Sequence, residues 1–184
     1  MESEMKNTVL VTFGALALAA GAFAQSPEID KALLAAPGNL KANATVIKWK
    51  ADGTYDTLKK GTSKLVCYDK SGQPNLPPFI VECTNEGNLP RAAQNMKMEA
   101  MGDKAKAQME LMAAEKDGSR VKPEFGSVWY HFMGPDQDKA RMHMTIAVPG
   151  ATSASLGLPD NNKSGGVWIM DAGTSTAHLM TPGE

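Results

Sequence analysis

Along the chain, apolar positions recur at a spacing near two, then near four, then near two again. Val46, Ile47 and Trp49 predict a strand over residues 44–50. Asp52-Gly53 signals a tight turn, and residues 54–58 return as the hairpin partner. Residues 65–68 and 79–83 read as two further short strands. The segment between them carries Gly72, Pro74, Pro77 and Pro78, which leave little room for regular structure. Ahead of these strands, Ser26-Pro27-Glu28 has the order of a helix start: a capping hydroxyl, a proline in the first turn, an acid beside it. Ile29, Leu33 and Leu34 give that short helix one apolar face, and Ala36-Pro37-Gly38 ends it.

The period lengthens from Asn88 to Lys116, a stretch rich in Ala, Met, Lys, Glu and Gln, all good helix formers. Met98, Met101, Ala105, Met109 and Met112 fall at helical spacing and predict an inward stripe on one long helix, with Gly102 marking the place for a kink. The same methionines would also suit a row of thioether ligands for copper or a pliable binding surface. The last third returns to strand patterning over residues 127–133, 142–148, 166–170 and 177–180. Strands, a helix, then strands is an α+β order, and short links favour antiparallel pairing. The expected architecture is therefore α+β: a mostly antiparallel sheet with one long Met-rich helix packed on a face. Met142, Met144, Ile146 and Val148 are taken as the core side of their strand, and the C-terminal strands are taken to pair in sequence order.

The first residues follow a different pattern. Lys6 precedes a run from Thr8 to Ala20 that is apolar apart from Thr12 and Gly14, and Ala22-Phe23-Ala24 supplies the small-x-small site of a signal peptidase. This run is shorter than a membrane span requires. We therefore expect a secretory signal over residues 1–24 and one α+β domain over residues 25–184, periplasmic or extracellular, with no membrane anchor after cleavage. The whole chain has 19 basic and 20 acidic residues, and losing Lys6, Glu2 and Glu4 with the leader leaves 18 of each. A neutral chain without charge blocks offers no electrostatic case for a nucleic-acid partner.

Cys67 and Cys83 are the only cysteines. An even count in an oxidising compartment reads as a disulfide, and closing a loop of about 15 residues is worth roughly 3 kcal/mol in the chain-entropy model. The usual Cα separation for such a bond is roughly 4.4–6.8 Å.

Several short pieces together resemble a family of small bacterial secreted proteins of unassigned function, each with a cleaved signal peptide and one Cys pair. They are Thr45-Val46-Ile47 with Trp49, the run Leu58 to Thr62, the Cys67 and Cys83 pair, the segment His143 to Pro149, and Ala177 to Pro182. Members carry a Trp between the Gly-Thr and the first Cys, where this chain has Ser63 to Val66. The resemblance implies a bacterial exported protein and carries no activity.

The candidate chemistry is sparse. No nucleophile elbow or phosphate loop is present, and cysteines held in a disulfide offer no thiolate. Asp136, Asp138, Asp160 and Asp171 fall mainly in turns, where Asp is favoured for turn chemistry. His131, His143 and His178 each lie in a predicted strand of the last third. Two or three imidazoles on adjacent strands are the set a Zn or Cu ion would take, although no HxH or HExxH spacing accompanies them. Two readings of different kinds follow. One is a non-enzymatic exported binding domain for a small ligand, a metal or another envelope protein. The other is a small exported metal-dependent enzyme or copper/zinc-binding protein using His131, His143 and His178. Convergence of the histidines on one pocket is the observation that separates them.

Overall fold

Alternation along the strands sets out the two faces of the sheet. The computed structural model describes residues 26–181, so the expected leader lies outside the described residues. Strands β1 (Thr45–Trp49), β2 (Tyr55–Lys59), β3 (Leu65–Asp69), β4 (Phe79–Asn85), β5 (Val128–Gly134), β6 (Arg141–Ala147), β7 (Trp168–Met170) and β8 (His178–Met180) form one sheet in the order β2-β1-β3-β4-β5-β6-β8-β7. On β3 and β4, Leu65, Cys67, Phe79, Val81 and Cys83 join one core cluster, while Val66 and Tyr68 join another on the opposite face. Helix α1 (Pro27–Ala32), capped by the Ser26 side chain, and the turn Leu33–Ala35 cover the first face through Ala32, Leu33 and Ala35. Helix α2 (Leu89–Glu99) covers the second, placing Ala92 in the cluster of Ile47, Val66, Tyr68 and Trp129.

The fold is α+β, but the sheet is mixed. Among the described residues β1 and β3 run parallel, and the other six pairings are antiparallel. The cause is local. After β2 the chain turns back across the end of β1, where Thr62 and Ser63 each donate a backbone N–H to Asn43 O at 3.0 Å. Gly61 donates to Thr45 Oγ1 at 3.0 Å, and a Cβ at that position would collide with Asn43 O and the Ala44 carbonyl. Glycine thus permits the crossing that lands β3 on the free edge of β1. The C-terminal strands also depart from sequence order, because β8 inserts between β6 and β7.

The long helix is corrected to two shorter ones. Helix α2 ends at Glu99, Gly102 takes a left-handed φ of 70°, and Asp103 caps helix α3 (Lys104–Asp117) by accepting from Ala105 N and Lys106 N. The expected methionine stripe fails with it. Met109 and Met112 are each 64% exposed, Met101 is exposed, and α3 buries Ala107 and Ala114 instead. Met96 is the methionine that α2 buries. The core side of β6 is reversed as well: Met142 and Met144 are exposed, whereas Thr145 and Ala147 are buried. A third cluster, Val148, Ala151, Ile169 and Ala177, closes the far end beside the short helix α4 (Ser153–Leu156).

Cys67 and Cys83 sit directly opposite each other on β3 and β4 and form the expected disulfide. Their Cα atoms are 4.0 Å apart, shorter than the expected range, because the two residues are directly opposed neighbours across an antiparallel pair. Among the described residues no helix is long and apolar enough to cross a membrane.

Candidate functional site

The sheet face beneath α2 carries a row of titratable groups where an apolar layer would be expected. Directly opposed residues of an antiparallel pair share a face. Glu82 of β4 opposes His131 of β5, which in turn opposes His143 of β6. Farther along, Ala147 of β6 opposes His178 of β8. Register therefore places all three histidines on one side of the sheet, and all three line one cleft of about 330 Å³. Helix α2 supplies Arg91, Asn95 and Glu99 to the same cleft, four residues apart and hence on one helix face.

A buried charge network forms the floor. Lys70, 4% exposed, reaches Glu82 at 3.2 Å and Glu99 at 2.8 Å. His131 Nδ1 lies 3.0 Å from the same Glu82 oxygen that Lys70 contacts. Burial by itself would raise the Glu82 carboxyl, but attraction to Lys70 and His131, with their hydrogen bonds, holds it at about 2. Burial likewise opposes the Lys70 charge, and the two glutamates overcome it and hold the ammonium above its ordinary value. The Tyr68 hydroxyl, fully buried beside Glu82, is kept protonated by burial first and by that carboxylate's charge second. Trp129 lies nearly parallel to the His131 ring, 9° between planes with centroids 6.3 Å apart.

The histidines differ in how they are held. The ionised Glu82 accepts from His131 Nδ1, and Thr176 O accepts from His178 Nδ1 at 2.8 Å. Each contact fixes a ring and leaves its Nε2 at the other end. His143 sits 5.9 Å, centroid to centroid, from His131, its ring tilted by 34°. Burial, then the charges of His131 and His178, push it below the ordinary histidine value. Among the described residues no group of three or more His, Cys, Asp or Glu is arranged to hold a metal ion.

Arg91 is 4% exposed and makes neutral contacts: Nη1 donates to Val121 O and to Ser175 Oγ at 3.2 Å, and Nη2 donates to Thr176 Oγ1 at 2.7 Å. Burial, then the charge of Arg120, pull its guanidinium down to about 10, still cationic at neutral pH. Arg120 donates to Gln94 Oε1 and Asn95 Oδ1. Reading the sequence found the histidines because they are few. It missed Lys70, Glu82, Arg91, Asn95 and Glu99. A signal for the last three was present in the i, i+4, i+8 spacing of polar residues along α2, and Glu82 interrupts an otherwise apolar strand core. None of the turn aspartates Asp136, Asp138, Asp160 and Asp171 lines this cleft, and Asp136 pairs instead with Lys139 at 2.8 Å. No family model, no curated protein and no solved structure matches the chain.

Proposed function

We propose that the chain is an exported binding domain, bacterial and working in the periplasm or outside the cell, whose cleft under α2 holds a small ligand. The observation that carries this reading is the cleft itself, about 330 Å³ and walled by charged side chains that are held in place by their own contacts. That volume lies within the range of small-molecule sites. Export rests on the leader pattern and on the cysteine pair, which forms a disulfide here. The pocket is tested by a ligand screen with the His131, His143 and His178 ring protons as NMR reporters, comparing the parent with Thr145→Trp, which fills the cleft. Ligands that bind the filled variant equally well would sink the proposal. A mature chain that retains Met1 or Met5 rather than beginning at Gln25 would sink the cleaved leader.

A metal-binding or metal-dependent role is the second reading, and one observation favours it. His131 and His178 are each pinned at Nδ1, the arrangement in which Nε2 ligates Zn or Cu. An ion would need His143 to turn toward both. Calorimetry with zinc chloride should then show binding that weakens toward pH 6, as imidazole ligands protonate, and that His143→Ala with His178→Ala abolishes. Unchanged heats in that double variant would discard the metal.

A further inference from the structure

The cleft holds a positive charge that its own carboxylates do not answer. Its two acids, Glu82 and Glu99, are both engaged by Lys70, and Glu82 by His131 as well. Arg91, on the same wall, hydrogen-bonds a backbone carbonyl and two hydroxyls, and among the described residues no carboxylate lies within ion-pair distance of it. Arg120 behind it is in the same position, with two side-chain amides as partners. Glu115 of α3 attracts both guanidiniums but is bonded to the Ser175 N–H and hydroxyl. Neutral acceptors offset only in part the cost of removing a guanidinium from water.

Hydrogen-bonding capacity points the same way. Asn95 gives its carbonyl oxygen to Arg120, which leaves the NH2 end of its amide to donate. Thr176 Oγ1 accepts from Arg91, so its hydroxyl hydrogen is free to point elsewhere. Both residues line the cleft. The wall is rich in donors, and its two carboxylates already face the Lys70 ammonium. A divalent cation would meet the Arg91 charge at close quarters, whereas an oxyanion would be drawn to it and could accept from the hydrogens on Nε and Nη2 that these contacts leave.

The geometry points to a small oxyanion, carboxylate- or phosphate-bearing, as the ligand of this cleft, bound by Arg91 with Asn95 and Thr176. This deepens the binding-domain reading and rests on it. The test uses the purified chain and three probes: benzoate, its neutral isostere benzamide, and inorganic phosphate. Binding is followed through the ring protons of His131, His143, His178 and Trp129. Benzoate or phosphate should shift these signals, with affinity at least tenfold above that of benzamide, and the tighter of the two anions names the headgroup. Arg91→Gln should lower anion affinity at least tenfold and leave benzamide unchanged, while Arg91→Lys should retain part of it. If Arg91→Gln does not fold, the benzoate-to-benzamide ratio on the parent chain still decides. Benzamide binding as tightly as benzoate would overturn the oxyanion while leaving the pocket intact. No probe shifting any of the four rings would overturn both.

Discussion

Lys70 and Glu82 are the residues on which the interior of the site depends. Both are nearly inaccessible, and each is the other's partner. Replacing Glu82 by Gln keeps the shape but leaves Lys70 with Glu99 alone, and breaking a buried pair from one side costs about 3–5 kcal/mol. Urea denaturation at pH 7 should show a loss of that size. A loss below about 1 kcal/mol would mean that water reaches Lys70. Because the folded Glu82 carboxyl is held at about 2 against an ordinary 4.5, its contribution is complete above pH 4.5 and fades as pH falls toward 2. His143 acts in the same direction at higher pH. Its folded value lies below the ordinary 6.5, so the unfolded chain takes up the proton first, and stability falls as pH drops below 6.5. Melting temperatures of His143→Gln between pH 7.5 and 5 should decline less than those of the parent; parallel curves would refute the assignment.

At the scale of elements, the helical segment shows why period alone misled. Met98, Met101, Met109 and Met112 do recur at helical spacing, but the break at Gly102 and the Asp103 cap start α3 on a new axis. Two segments with different axes need not bury the same phase of one repeat. The burial pattern makes a sharp contrast. Met96→Ala should cost about 2–5 kcal/mol, as deletions from a packed core do. Met109→Ala and Met112→Ala should each fall within about 0.5 kcal/mol of the parent. Chemical denaturation of the three variants checks this, and a large loss at Met112 would restore the inward stripe.

For the whole molecule, the disulfide ties together the two strands that divide the faces. Cys67 and Cys83 both lie in the cluster beneath α1, one on each of two neighbouring strands, and are 16 residues apart in sequence. The double variant Cys67→Ala with Cys83→Ala should lose roughly 3 kcal/mol by the loop-closure argument. Reducing the parent with dithiothreitol should lower its melting temperature to a similar extent. A reduced protein as stable as the oxidised one would show that the sheet needs no clamp.

The strands, the Asp52-Gly53 turn and the α1 cap were legible in the sequence because each rests on a few neighbouring residues, and the Cys pair was legible because the chain has only two cysteines. A period of two, a turn dipeptide and a capping hydroxyl act over one or two turns of chain, whatever the rest of the molecule does. The histidines were legible as rare residues, and their common side of the sheet was not. Alternation shows that His143 and Met144 point opposite ways, but which way is inward depends on what lies above each face. Hydrophobicity favoured the methionine side. The structure buries Thr145 and Ala147 instead and leaves Met142 and Met144 exposed. The parallel β1–β3 pair, the insertion of β8 beside β6, and the meeting of Arg91 with three distant imidazoles are likewise long-range outcomes. They follow from which edges and faces remain open once the local elements exist, and only the assembled sheet decides that.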